Sequence, residues 1–186
     1  MNIGFAMCGS FCTYEKVFLA MEAVASIHTV IPIFSQSADS IDSRFGTAQF
    51  HSERVQSICG RAPLNTIGQV EPIGPKKLLD ALIIAPCTGN TLAKLAHSIA
   101  DGPVTMAAKS HLRNGRPVIL AVSTNDALAG AAENIGKLLA RKHYYFVPFG
   151  QDDPQGKPTS LVADFGKILP TLEAAIAGYQ LQPLLT

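Results

Sequence analysis

Small and hydroxyl-bearing residues are concentrated in segment 85–91, Ala-Pro-Cys-Thr-Gly-Asn-Thr, which joins an apolar run to a helical pattern. The run 81–85 is typical of a buried strand, and the following helix is predicted to begin near residue 90. Small residues at such a junction let a ligand approach the backbone, and the free amides of a helix start favour an anion. The residues expected to bind a cofactor here are Pro86, Thr88, Gly89, Asn90 and Thr91.

A second polar loop follows the predicted first strand. Gly9 permits close approach of a ligand, while Ser10 and Thr13 place hydroxyls near the positive end of a helix dipole. The same two hydroxyls could equally cap the helix, and the two roles can coexist.

Two more polar loops follow predicted strands and should reach the same sheet edge, because parallel strands end there together. One begins at Ser35, which is either a ligand contact or only solvated. The other contains Ser123 and Thr124, which are candidate ligand contacts, and Asp126, which is a natural helix N-cap.

Several well-known catalytic motifs are absent from the chain. There is no Gly-x-Gly-x-x-Gly after the first strand, no Walker loop, no His-Glu-x-x-His and no Gly-x-Ser-x-Gly. The five histidines are scattered, and only His51 falls near the expected ligand edge. Cys87 lies beside a helix start, where it is either an activated thiol or a small packing residue. No catalytic residue and no metal-binding set can be assigned from these residues.

Composition limits the class of protein. The chain has 186 residues, of which 47% are hydrophobic and 16% charged, and a net charge of +1. Such a charge gives no electrostatic basis for binding nucleic acid or a membrane surface. Four cysteines without disulfide or zinc spacing favour a reducing cytoplasm, and no signal peptide or spanning segment is predicted.

Apolar runs alternate with amphipathic segments along the whole chain. The predicted strands are 3–7, 29–34, 81–85, 117–122 and 144–147, and the predicted helices are 14–26, 48–59, 90–100, 105–114, 126–142 and 162–177. This alternation predicts a single α/β domain, 1–186, with a flavodoxin-like or Rossmann-like doubly wound parallel sheet in three layers. The irregular segments 35–46 and 61–75 are interpreted as ligand-side or interface loops.

These motifs resemble the flavoprotein family of flavin-dependent cysteine decarboxylases and prenyl-flavin-forming proteins. The resemblance is carried by the loop at Gly9 and Ser10, by segment 86–91 and by the helix 92–96. Nearly the whole chain is also similar to a branch of that family from spore-forming bacteria. The segments that carry this closer similarity are 9–15, 43–46, 106–109, 123–128 and 148–154.

The family resemblance implies site residues. The flavin phosphate loop corresponds to Gly9 and Ser10, the serine after strand two to Ser35, and the Ser/Thr-Ala-Asn-Thr loop to segment 88–91. The decarboxylases' Pro-Ala-Met-Asn segment is replaced here by 123–126, and the prenyl-transfer branch's Arg-Glu-Thr-Pro is missing. Neither decarboxylation nor prenyl transfer is therefore expected, and binding of FMN is left open.

The closer similarity implies one component of a two-component oxidoreductase, which works with a separate A-type subunit. Together such proteins oxidise dihydrodipicolinate to dipicolinate (pyridine-2,6-dicarboxylate) during sporulation, with NAD or NADP expected on the A-type component. Flavin on this chain could relay the electrons; alternatively, the chain is a non-catalytic partner with an empty flavin cleft. Thr13, Arg44 and Lys109 are the candidates for binding the dicarboxylate substrate, Lys157 is a further cation of interest, and a homo-oligomer is expected.

Overall fold

A computed structural model describes residues 1–186 and contains one seven-stranded sheet flanked by helices. The strands are β1 (Asn2–Met7), β2 (Thr29–Phe34), β3 (Ala81–Cys87), β4 (Val118–Thr124), β5 (Tyr144–Phe146), β6 (Phe149–Gly150) and β7 (Leu161–Ala163). The helices are α1 (Tyr14–Ala25), α2 (Gln36–Ser40), α3 (Ala48–Cys59), α4 (Ile67–Val70), α5 (Gly89–Ala96), α6 (Pro103–Leu112), α7 (Ala132–Leu139) and α8 (Ile168–Ile176).

The first five strands are parallel in the order β2-β1-β3-β4-β5. Their residues are apolar on both faces because helices cover both sides, and every residue of β3 is buried. This strand order is the flavodoxin-like one, and it confirms the predicted fold class. The chain passes from β1 to β2 on one side of β1, and the connection after β2 then crosses to β3 on the other side. The two connections diverge at the carboxyl ends of β1 and β3, which creates a crevice there.

The carboxyl half of the chain departs from the prediction. The predicted helix 162–177 is wrong over its first turns, because Leu161–Ala163 forms β7 and pairs antiparallel with the end of β4. A 3₁₀ turn, Phe165–Lys167, then leads into α8. The predicted helix 126–142 shortens to α7 because its first residues form turns, and the helix after β3 ends at Ala96 rather than at residue 100.

Each outer strand of the sheet is met by another part of the chain. On β2, Leu64 exchanges backbone hydrogen bonds with Pro32 and Phe34. On β5, the side-chain amide of Gln180 accepts from the Phe146 N–H at 2.8 Å and donates to the Phe146 carbonyl at 2.7 Å. On β6, residues 184–186 form a short bridge to Phe149. None of the helices is long and apolar enough to span a bilayer.

Candidate functional site

The loops after β1, β2, β3 and β4 converge at the crevice, as the sequence predicts. The Ser10 hydroxyl lies 2.8 Å from the Ser123 hydroxyl, so the loop after β1 reaches the end of β4 across the end of β3. The Ser35 N–H donates to the Met7 carbonyl at 2.9 Å, which places the start of the loop after β2 beside the end of β1. Residues far apart in the sequence therefore share one polar site.

The start of α5 forms the floor of this crevice. The Thr88 hydroxyl caps the helix by accepting from the Thr91 N–H at 3.3 Å, and the Thr91 hydroxyl donates to the Cys8 sulfur at 3.3 Å. The N–H groups of Gly89 and Asn90 make no hydrogen bond within the protein. Two free donors at the positive end of a helix dipole suit an anionic ligand.

The hydroxyls of the crevice differ in the donor capacity that they keep for a ligand. Ser35 caps α2 by accepting from the Ala38 N–H at 3.2 Å, which uses a lone pair and not the hydroxyl hydrogen. Capping and ligand binding are therefore compatible at Ser35. The Thr88 hydroxyl lies 3.1 Å from the Thr91 hydroxyl, whose own hydrogen goes to Cys8, so Thr88 donates to Thr91. Ser10 and Thr13 do not cap a helix through their side chains; Thr13 donates instead to the Ser10 carbonyl at 2.8 Å.

Gly89 is required by packing. A Cβ at this position would lie 2.8 Å from both Thr124 Oγ1 and Asp126 Oδ1, two atoms that are themselves hydrogen-bonded at 2.5 Å. Gly89 thus lets the loop after β4 close on the start of α5, and it does not line the open space. Pro86 is buried at the end of β3 and does not line that space, whereas the backbone N–H of Gly89 stays free at the start of α5.

The open space has two lobes that meet at Thr88. The larger lobe is about 390 Å³, within the ~300–1,000 Å³ range of small-molecule sites. Its polar lining includes Ser10, Thr13, Ser123, Thr124, Lys16 and Lys157. The smaller lobe is about 160 Å³ and is lined by Ser35, Asn90, Thr91 and the amino end of α6, among others. We call the two lobes together the hydroxyl cleft.

Segment 151–160 covers one side of the hydroxyl cleft and supplies its charges. The buried Ser160 hydroxyl donates to Asp152 at 2.6 Å, and Lys157 Nζ lies 3.2 Å from the same carboxylate. The hydrogen bond from Ser160, with the contribution of Lys157, lowers the pKa of Asp152. Hydrogen bonding and attraction to Asp152 raise the pKa of Lys157. Both side chains therefore stay ionised at neutral pH.

Two residues expected at the substrate site lie elsewhere. Arg44 is exposed, and its guanidinium lies 4.8 Å from the Phe45 ring centre, because a turn closed by Ser43 and Gly46 holds it away from the crevice. Lys109 is one helical turn past Thr105 and lines a separate cavity. The cations that the structure brings to the larger lobe are Lys157, which the sequence indicated, and Lys16, which it did not single out. Lys94 lines the smaller lobe, where it is paired with Asp101.

His51 is fully buried in an aromatic box and does not reach the hydroxyl cleft. Its neighbours are Phe11, Tyr14, Phe18 and Phe50, with the Tyr14 ring centre at 4.8 Å. Neither ring nitrogen has a hydrogen-bond partner, and burial lowers the pKa of His51. The ring is therefore neutral, and no histidine lines either lobe.

The four cysteines are free thiols in different environments. Burial raises the pKa of Cys8 to about 11 and the pKa of Cys87 well above its usual value. Cys87 is thus a packing residue and not an activated nucleophile. Cys12 is exposed and lines the larger lobe of the hydroxyl cleft.

The chain belongs to the flavoprotein family, whose family model matches residues 1–167. It is 42% identical over 185 residues to the B-type subunit of dipicolinate synthase from Bacillus subtilis (strain 168), a match that covers 99% of this chain and 92% of that protein. These matches confirm the resemblance inferred from the motifs.

Solved structures agree with this assignment. The B-type subunit of dipicolinate synthase from Bacillus halodurans C matches with a TM-score of 0.91 and 42% identity, covering 100% of this chain and 95% of that chain. The FMN-dependent cysteine decarboxylase SpaF matches with a TM-score of 0.70 and 20% identity, covering 95% and 97% of the two chains. The second likeness is one of fold alone.

Proposed function

We propose that this chain is the B-type subunit of a two-component dipicolinate synthase and, together with the A-type subunit, oxidises dihydrodipicolinate to dipicolinate during sporulation. The observation that carries the proposal is a cleft at the β1/β3 switch point that combines hydroxyl groups and free amide donors with two lysines in its larger lobe. The names of the relatives at 42% identity support the choice of reaction. Four unpaired cysteines are consistent with a cytoplasmic site of action.

The hydroxyl cleft fits FMN by its donor set. Gly9, Ser10, Ser35, Asn90 and segment 88–91 would hold the phosphate, because the Ser35 hydroxyl and the N–H groups of Gly89 and Asn90 can donate to a dianion without losing existing hydrogen bonds. Ser123 and Thr124 lie in the larger lobe, where they would contact the ring. Bound FMN supplies reversible transfer of two electrons.

The proposed substrate and its reaction require further groups besides those that would bind FMN. Dihydrodipicolinate is a dianion that loses a hydride and a proton as its ring becomes aromatic, so it needs counter-charge and a hydride acceptor. Lys157 and Lys16 are the cations available in the larger lobe, and Asp152 holds Lys157 ionised and oriented. Thr13 supplies a neighbouring hydroxyl. Because the chain lacks a glycine fingerprint for a nicotinamide cofactor, NAD(P) is assigned to the A-type subunit.

A second candidate function is that of a non-catalytic partner that stabilises or activates the A-type subunit. The observation that favours it is the absence of a histidine from the hydroxyl cleft, together with the lowered pKa of Asp152, which makes that carboxylate a weak base. In that case the flavin cleft is inherited and empty.

The decisive experiment reconstitutes the two components. The purified chain is incubated with FMN and desalted, its visible absorbance is recorded, and dihydrodipicolinate oxidation is measured with the A-type subunit, in the presence and absence of this chain. Retained flavin absorbance together with a requirement for this chain supports the relay function. Full activity of the concentrated A-type subunit on its own, with a colourless partner, supports the non-catalytic alternative and refutes the first.

A further inference from the structure

A second sizeable cavity lies outside the hydroxyl cleft. It is about 510 Å³ and is formed by the end of α5, the outer side of α6 and the junction between α7 and β5. Four basic residues line it, and an apolar surface lies beneath them. The basic residues are Lys109, Arg113, Arg141 and Lys142, and the apolar surface includes Leu95, Leu112 and Tyr144. We call this space the basic cavity.

The positive charge of the basic cavity is not neutralised within the protein. Lys109, Arg113 and Lys142 take part in no ion pair, and no Asp or Glu lines the space. The carboxylates of neighbouring elements are already used, since Asp101 pairs with Lys94 at 2.9 Å and Glu133 with Lys137 at 2.6 Å. Like charges that converge without a counter-ion repel one another, and an anion relieves that repulsion.

Arg141 has a structural role within this group. Its guanidinium donates to the carbonyls of Leu95 and Ala96, at 3.1 and 2.7 Å, and so neutralises the negative end of α5. The three other cations make no hydrogen bond to a helix end. Hydrogen bonding to the carbonyls at the end of α5 therefore accounts for the presence of Arg141. It does not account for Lys109, Arg113 or Lys142.

The backbone around the basic cavity is left-handed at two positions. Ser98 and His143 have φ values of +59° and +69°, and both residues line the basic cavity. At Ser98 this conformation ends α5, where the Ile99 N–H donates to the Lys94 carbonyl at 2.8 Å. These two positions shape the rim of the basic cavity, and the inference about its ligand rests on its charges and its apolar surface.

We propose that the basic cavity binds an aromatic dianion, a flat apolar ring that carries two negative charges. The apolar surface formed by Leu95, Leu112 and Tyr144 would contact the ring, while Lys109, Arg113 and Lys142 would contact the charged groups. A pyridine dicarboxylate and a nucleoside monophosphate both have this chemistry. The basic cavity shares only Thr105 with the hydroxyl cleft, so the two sites can be occupied together.

The test uses isothermal titration of the full-length chain with two anions and their neutral analogues. Pyridine-2,6-dicarboxylate is compared with pyridine-2,6-dicarboxamide, and adenosine 5′-monophosphate with adenosine. We expect one anion to bind with a Kd below about 1 mM and its neutral analogue at least about tenfold more weakly. The anion that binds identifies the source of the dianion.

Variants then locate the site. The double variant Lys109→Gln/Arg113→Gln should weaken the anion at least about tenfold, because both changed side chains are exposed contacts of the ligand. The matched control Arg61→Gln/Lys76→Gln removes the same charge from exposed positions that line no cavity described above, and it should bind as the unchanged protein does. Ser10→Ala/Thr88→Ala, in the hydroxyl cleft, should also leave binding unchanged.

Three results would overturn the proposal. The first is that neither anion binds at about 5 mM. The second is that Lys109→Gln/Arg113→Gln and Arg61→Gln/Lys76→Gln lose equal affinity for the anion. The third is that only the hydroxyl-cleft variant loses affinity. Thermal unfolding of each variant shows whether a loss of binding comes from the site or from the fold. Because the proposal does not depend on the oxidation reaction, its failure leaves the proposed function standing.

Discussion

The hydroxyl cleft and the basic cavity differ in how the fold produces them. The hydroxyls and free amides of the cleft lie at the ends of parallel strands, so their position follows from strand order, and segment 151–160 adds the charge of Lys157. The cavity is made of charged side chains on helix ends and turns, so its position follows from particular residues. Proteins of one fold can therefore share the first kind of site while they catalyse different reactions. The second kind of site depends on the individual sequence.

The largest effect that we predict concerns α6, which contributes to both regions. Burial lowers the pKa of His111 on this helix from 6.5 to about 4, while the unfolded chain keeps the ordinary value. The neutral ring thus stabilises the fold above pH 6.5, and this contribution is lost as the pH falls towards 4. The full loss is about 3 kcal/mol.

Urea unfolding between pH 7 and 4.5 measures this effect. The variant His111→Gln keeps a donor for the Pro117 carbonyl and should have a flatter pH profile, whereas His97→Gln, at an exposed histidine, should follow the unchanged chain. If the free energy of unfolding falls equally with pH in all three proteins, His111 is not the cause of the pH dependence.

The next effect separates the two regions. Ser10→Ala/Ser35→Ala removes two hydroxyls expected to donate to the phosphate and should weaken FMN at least about 100-fold, since each hydrogen bond to a charged group contributes about 1.5–3 kcal/mol. Flavin fluorescence quenching gives the affinity. The comparison predicts that Lys109→Gln/Arg113→Gln retains normal FMN binding. If that variant loses FMN binding instead, the basic cavity and not the hydroxyl cleft is the flavin site.

A smaller effect tests the charges of the hydroxyl cleft. Lys157→Gln should raise the KM for dihydrodipicolinate about tenfold, with a lesser change in kcat, because in the proposed function the lysine would contact the substrate carboxylate and not the reacting carbon. Arg44→Gln is the matched control and should leave both constants unchanged, since Arg44 lies outside the cleft. A larger loss for Arg44→Gln would show that the turn at 43–46 closes onto the substrate.

The smallest effect is a labelling rate. Cys12 is the exposed thiol, and it should react first with iodoacetamide, while Cys8 and Cys87 are protected by burial and by pKa values raised above the ordinary one. Bound FMN should slow labelling of Cys12 a fewfold, as read by mass spectrometry of the peptide. Unchanged labelling with FMN bound would place the flavin outside the larger lobe.

The sequence predicted the parts of the molecule that depend on local pattern and strand order. Buried apolar runs predicted β1 to β5, and the rule that parallel strands end together predicted that the loops of Ser10 and Ser123 would lie at one edge of the sheet. The strands β6 and β7 are too short to show a period, so the pairing of Val162 with Ser123 was not visible.

The charges of the site were harder to predict for the same reason. Lys157 reaches the hydroxyl cleft only because β7 returns segment 151–160 to the end of β4, which is a long-range contact. Lys109 was misplaced because one turn of α6 separates the residues of the cleft from those of the basic cavity. For Lys16, the available signal was its position one helical turn after Thr13, next to the first polar loop.

The coverage of the outer strands has a consequence for assembly. Leu64 occupies part of the outer side of β2, the Gln180 amide satisfies Phe146 on β5, and the last residues satisfy Phe149 on β6. A neighbouring molecule therefore finds few unpaired backbone groups with which to continue the sheet. Copies of this chain, or a different partner chain, must recognise one another through side chains on helices and loops, where a single substitution can change the choice of partner without disturbing the sheet.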